Sequence, residues 1–439
     1  MRTVKFLLCL VLLVHPPFVW AQVPLSQEDR LLLEKIEHDS VQYFLRFSDR
    51  DTGLTHDSSR PGSPASIAAT GFSLASLAIA QAHGWIPRER AYQQIHRSLQ
   101  TLKQQAHHQN GFFYHFLDPQ TGQRVWRSEA SSIDTALFFA GALLAAQYFE
   151  DTDIPRLVQE LYRRVDWKWM MNGTKLICHG WTPESGFLPH YWDSYSELII
   201  LQALAIGASE NAVPAESWEA WDRLEDEYNG KRIVYSYSGS LFTYQYAHAF
   251  IDFRGLSDRG IDYFENSKKA SIANWEYSLS FRDRYQAYSE SSWGLSASLG
   301  PGGYRAYGAK PGLGLHDGTI APYASIASLV FTPDLSLQTI KFFYRQYRET
   351  LYGPYGFKDA FNLDKKWWSP EYLGIDQGIS VLMIENFLSD GGVWRKFMRL
   401  TVIQKWIELC GLSRKNYSLR RNRSVSREAV SSIISGVTQ

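Results

Sequence analysis

The sequence predicts an all-α protein, an α/α toroid of paired inner and outer helices whose long loops line a cleft. Three observations lead there. Apolar residues recur at helical spacing along most of the chain. Strand signals are confined to LICHGW and KRIVYSYS, both short enough for loops or small hairpins. Between alternate helix pairs run long loops that each join a carboxylate, glycine and usually an aromatic ring: FIDFRGLSD, GIDYFENS, YSESSWGLSAS, GPGGYRAYG, HDGTIAP, YGFKDAFN and YLGIDQG. A helical array without closure satisfies the same periodicity.

The elements follow in order. Glu28 to Phe47 carries Leu31, Leu32, Ile36, Val41, Phe44 and Leu45 near helical spacing. Ser63 to His83 opens on a Ser-Pro pair of the helix-starting kind. Arg88 to Gln105 is amphipathic, and Ser128 to Phe149, Ile154 to Trp169, Ser194 to Ser209 and Glu216 to Tyr228 continue the pattern. Ser240 to Phe253, Thr319 to Phe331, Asp334 to Thr350, Ile375 to Leu388 and Val393 to Cys410 complete it. The stretches GFSLASLAIA, DTALFFAGALLAA, SELIILQALAIGA and APYASIASL are rich in small residues, as close helix packing requires. No Pro- or Ser-rich linker divides the body and no repeat of constant length appears, which favours one domain.

The chain starts MRTVKFLLCLVLLVHPPFVWAQ, with Arg2 and Lys5 before an apolar run and a small-residue site at Ala21. Residues 1–21 read as a secretory signal peptide, too short to span a bilayer, and residues 22–412 as the folded body, periplasmic or secreted after cleavage. No later segment is long and apolar enough for a membrane span. Beyond the leader only Cys178 and Cys410 remain, enough for one disulfide but for no disulfide framework or zinc motif. The net charge is zero, yet residues 413–439 are basic, with Arg414, Lys415, Arg420, Arg421, Arg423 and Arg427 against Glu428. That tail is read as disordered. The body is correspondingly acidic, which disfavours nucleic acid as a partner.

Of the 439 residues 15% are aromatic, including 15 Trp and 25 Tyr. Many stand in the loops beside Asp and Gly. Aromatic faces stack on the C–H surfaces of sugar rings and carboxylates bond the hydroxyls, so an oligo- or polysaccharide is the expected partner of a monomeric chain. No GxSxG elbow, HExxH pair or Gly-rich phosphate loop after a strand occurs. His190 and His248 are therefore expected as ordinary neutral histidines.

The pieces SSIDTALFFAGAL, HGWTPESGFLPHYWDSYSELI, FIDFRGLSDRGIDYFENSKKA, SSWGLSASLGPGGYRAYGAKPG, DGTIAPYASIASLVFTP, YGFKDAFN, YLGIDQGISVLMIENF and VWRKFM span almost the whole body. Together they resemble the glucoamylase-like family of bacterial β-1,2-glucanases, related to a domain of the cyclic β-1,2-glucan synthases. The resemblance implies an (α/α)6 barrel and glycoside hydrolysis without metal or organic cofactor. One position departs from it: before GPGGY the family carries an acidic residue, and here stands Leu299. That bears on substrate contacts at this loop.

Glycoside hydrolysis needs two carboxyl groups, one of them protonated. Burial or a like-charged neighbour raises a carboxyl pKa enough for that. Glu197, read as one turn into an apolar helix capped by Asp193, is the expected general acid; the alternative is a structural ion pair. Asp134 opens the apolar DTALFFAGAL helix as a catalytic or sugar-binding carboxylate or as a plain cap. Glu129, Asp193, Asp317 and Asp376 are candidate sugar contacts, with solvation or capping as the other reading. Trp293 and Tyr304 are the candidate stacking platforms, or else core. Asp252, Arg254 and Asp258 read as a salt-bridge knot, and Asp262, Tyr263, Glu265 and Asn266 as loop-fixing groups. The leading function is an exported β-glucan hydrolase. A transglycosylase on the same scaffold and a non-catalytic glycan-binding protein are the alternatives.

Overall fold

The computed structural model describes residues 25–414; the leader and nearly all of the basic tail lie outside them. The architecture is helical. Its elements are α1 (Gln27–Phe47), α2 (Ile67–Ala82), α3 (Arg88–Gln104), α4 (Ser132–Ala146), α5 (Ile154–Arg163), α6 (Leu198–Gly207) and α7 (Ser217–Ala220). They continue with α8 (Phe242–Phe250), α9 (Tyr263–Ser280), α10 (Pro322–Ile326), α11 (Pro333–Leu351), α12 (Gly374–Leu388), α13 (Gly392–Phe397) and α14 (Thr401–Leu409). Antiparallel sheets of two or three very short strands decorate the loops.

Six apolar helices, α2, α4, α6, α8, α10 and α12, form the inner ring, and α12 closes it against α2. The outer layer is α1, α3, α5, α9, α11 and the C-terminal α14. Helix α14 covers α6 in the place a longer α7 would take. The predicted toroid is present and closed. Small residues set its tightness. A Cβ at Gly71 would meet the Phe138 backbone, and one at Gly141 the carbonyl of Gly71, so α2 and α4 touch backbone to backbone. Gly378 gives way likewise to Phe72, and Gly207 to the Val402 carbonyl of α14. Phe72 is buried and packs across the ring on Phe250 and Tyr246 of helix α8. The barrel is thus a packed core, and only its ends can host chemistry.

Several expected elements differ. Helix α9 was not expected. It buries Ser267, Ala270, Ser271, Asn274 and Ser278, so its inner stripe is small and polar and carries little hydrophobic periodicity. Glu216–Tyr228 is only the four-residue α7; Glu225–Tyr228 is instead a strand paired with Lys231–Val234. The Ile154 helix stops at Arg163 and is followed by a 3-10 turn at Trp169–Met171. Val393–Cys410 splits into α13 and α14, and only Pro322–Ile326 of the Thr319–Phe331 segment is α-helical. Cys178 and Cys410 are both free.

Candidate active site

The inner helices all present their N-termini at one end of the barrel, and the loops preceding them bring carboxylates there. Ser131 caps α4: its Oγ accepts the Asp134 N–H at 3.2 Å and donates to Asp134 Oδ2 at 2.5 Å. Asp134 is thus not the cap but a buried acid held by the cap, one turn into the helix. Its carboxyl is raised above the ordinary range by burial, with His115 pulling the other way.

Glu197 is the N-cap residue of α6, so it stands at the helix mouth and not one turn inside. Asp193 is exposed and does not cap α6; its Oδ1 accepts only the Ser194 hydroxyl. Tyr195 anchors the segment, stacked on Tyr263 at 5.8 Å and tilted on Tyr244 at 5.2 Å. The Trp192 indole donates to Ser132 Oγ at 2.9 Å, which ties the Glu197 loop to the start of α4. The Glu197 carboxyl is 9% exposed, and its Oε2 has no hydrogen-bond partner. Burial pushes it up to about 7, outweighing its own backbone hydrogen bond, and the charge of Asp134 adds to the rise. Of the expected groups, it has the environment of a general acid.

On the far side Asp376, third residue of α12, faces Asp359, and both are 1% exposed. Burial first, and then each other's presence, raise Asp376 strongly; adjacent carboxyls in so dry a place cannot both ionise, so the pair holds a proton. Asp359 Oδ2 accepts the backbone N–H of Leu299 at 2.8 Å. The residue that replaces the resemblance's acidic position therefore still orients a site carboxylate through its main chain. Asp57, raised to about 6 by burial, completes the group. Tyr304 stands opposite Leu299 in the hairpin Ala297–Gly300/Gly303–Ala306. Its ring is 55% exposed while its hydroxyl lies among Asp376, Asp359, Asp57 and Glu197, the posture of a platform over the cleft.

His115 bonds Glu129 at 3.1 Å and lies 3.5 Å from Asp134. Desolvation opposes its charge, but Asp134 and Glu129 overcome it and push the imidazole up to about 9. Glu129 is thus a partly buried partner of His115 and not a cap. Donor atoms of His115, Glu129 and Asp134 lie within 4.8 Å of one another, close enough for a metal. The two carboxylates favour a charged imidazole, which pairs with both of them.

The remaining candidates separate. Trp293 is 0% exposed, so it is core and cannot stack on a sugar; its loop folds inward, with its carbonyl accepting Ser325 Oγ. Asp317 accepts from the Tyr307 hydroxyl at 3.0 Å and the Thr319 N–H at 3.1 Å, which makes it a loop clamp. Asp258 bonds Arg223 and Tyr263, whereas Arg254 pairs with Asp252 and Asp390, so the expected knot is two separate ones. Asp262 caps α9, and the Asn266 side chain bridges the N–H and C=O of Val234, both loop-fixing as expected. His248 is buried and held neutral, its pKa depressed to about 3, and bonds Ser267. The expectations missed Asp359, Asp57 and His115. Asp359 lay in the YGFKDAFN loop, whose carboxylate-aromatic character was the available signal.

The comparisons with known proteins agree with this fold. A family model described as "Glycoamylase: Putative glucoamylase" matches residues 189–401. An exo beta-1,2-glucooligosaccharide sophorohydrolase (non-reducing end) of Parabacteroides distasonis is 28% identical over 420 residues, covering 87% of this chain. The chain spans 58% of that protein's length. A Bacteroides uniformis structure with the same glucoamylase description superposes with a TM-score of 0.84 at 28% identity, covering 89% of this chain and 98% of the other. An endo-beta-1,2-glucanase from Chitinophaga pinensis, solved with sophorotriose and glucose, gives 0.82 at 26% identity, covering 88% and 98%. The chain is thus similar to the glucoamylase-like family over residues 189–401, and to its solved structures across nearly the whole body.

Proposed function

We propose that the chain is a glycoside hydrolase that cleaves a β-glucan, with β-1,2-glucan as its substrate. The observation that carries this is Glu197: a buried, partly unpartnered carboxyl at the cleft, raised to about 7. A group so poised keeps about half of its molecules protonated at pH 7, and the acid form donates to a leaving glycosidic oxygen. Asp134, held by Ser131 and facing the His115 cation, serves as the second carboxylate. The Asp359–Asp376 pair, one acid and one anion, both donates to and accepts from sugar hydroxyls, and Tyr304 covers a ring. The β-1,2 linkage is supported by the two relatives whose names specify it. The test is to incubate the purified protein with a panel of β-glucans and separate the products by thin-layer chromatography. Products only from another linkage overturn the substrate, and longer oligosaccharides replace hydrolysis by transfer. The expected signal peptide further supports action outside the cytoplasm; a mature form still starting at Met1 refutes export.

A further inference from the structure

At the end of the barrel opposite the carboxylate cleft, three side chains distant in sequence converge. Glu37 comes from the middle of α1, His83 caps the C-terminus of α2, and Glu385 lies in the last turn of α12. One donor atom of each lies within 4.8 Å of the others. Glu37 is 0% exposed, and neither of its carboxylate oxygens has a hydrogen-bond partner. A carboxyl so buried must stay neutral or face a cation. Among the described residues no Lys or Arg forms an ion pair with Glu37 or Glu385. His83 pairs with Glu385 but leaves both Glu37 oxygens unpartnered, which distinguishes the cluster from His115, Glu129 and Asp134, where each carboxylate pairs with the histidine.

The surroundings are shaped for the cluster. Glu385 Oε2 lies 2.8 Å from His83 Nε2, and His83 stacks on Trp85 with centroids 4.5 Å apart and planes at 14°, which fixes the imidazole plane. A Cβ at position 392 would strike Glu385 Oε1, so Gly392 leaves room for that carboxylate. His83 and Glu385 sit at two helix C-termini, whose dipoles attract positive charge. The His83 side chain remains 37% exposed and offers an entry path and a place for water.

We infer that Glu37, His83 and Glu385 form a binding site for a first-row divalent cation of the zinc class, separate from the catalytic cleft. One imidazole nitrogen and two carboxylate oxygens, at bond lengths of about 2.0–2.2 Å, suit such an ion with water as the fourth ligand. Calcium, which needs about six to eight oxygens, does not fit. The ion would tie α1, α2 and α12 together where the ring closes. Local spacing in the sequence could not reveal it, because no two of the three donors share a helix.

The test strips the purified protein with a chelator and titrates it with zinc chloride by calorimetry, with thermal melting in parallel. Calcium chloride is the control. One equivalent of zinc should bind and raise Tm by several degrees. Glu37→Gln and His83→Ala should each abolish both effects, while glucan turnover below the melting range stays as in the wild type. His83→Ala changes a partly exposed side chain, so it carries the test even if Glu37→Gln fails to fold. Absence of stoichiometric zinc binding overturns the inference, as does binding that persists in His83→Ala. A wild type that ignores zinc beside a Glu37→Gln variant of higher Tm marks Glu37 as a buried neutral acid and overturns it equally.

Discussion

Replacing Glu197 by Gln keeps the shape of the side chain and removes the proton that the reaction needs. Loss of a general acid lowers turnover by about 10²–10⁴-fold, equivalent to about 3–5 kcal/mol of transition-state stabilisation. The same change should stabilise the fold. Burial raises this carboxyl from 4.5 to about 7, so the native state resists its ionisation. The resulting cost is absent below pH 4.5, develops as the pH rises, and reaches about 3 kcal/mol above pH 7. Gln carries no such cost. Glu197→Gln should therefore melt above the wild type at pH 8 and close to it at pH 4.5, while losing activity at both. In the wild type, turnover should fall as the pH rises through about 7, where the acid loses its proton. Reducing-sugar release on β-1,2-glucan and melting curves at the two pH values are the assays. A variant with near-normal turnover, or one no more stable at pH 8 than at pH 4.5 relative to the wild type, refutes the assignment.

Trp293→Ala should destabilise by about 3–5 kcal/mol through the cavity it leaves, seen as a large drop in denaturant midpoint; a selective loss of sugar binding in a fully stable variant would contradict its core placement. Tyr304→Ala should raise KM more than it lowers kcat, since the residue is 55% exposed, holds little of the fold and is the proposed sugar platform; an unchanged KM removes it from the cleft. The pKa of His115 is raised from 6.5 to about 9, so its contribution is complete below 6.5 and is lost as the pH rises through 9. His115→Gln should accordingly cost about 2 kcal/mol near pH 6, after allowance for the partly solvated ring, and much less near pH 9.5. Chemical denaturation at both pH values measures it, and a pH-independent difference rejects the ion-pair role.

What the sequence by itself determined was whatever is local and periodic. The apolar inner helices declared themselves because their composition is uniform, and their small residues announced close packing that Gly71 and Gly141 carry out. The acidic, aromatic loops announced a carboxylate-lined cleft, and Glu197 and Asp134 were legible because each charge abuts an apolar run. Helix α9 was hidden because it packs through Ser, Ala and Asn. Tertiary structure alone decided which loop aromatics face the cleft. Trp293 and Tyr304 stand in similar Gly-rich surroundings, yet one is fully buried and the other exposed. It alone brought Asp359 to Asp376 and His115 to Asp134, since the closing of a ring, and not spacing along a helix, makes those neighbours. The pKa of a carboxyl depends on the water it loses and the charges it meets, and both are set by residues remote in the chain.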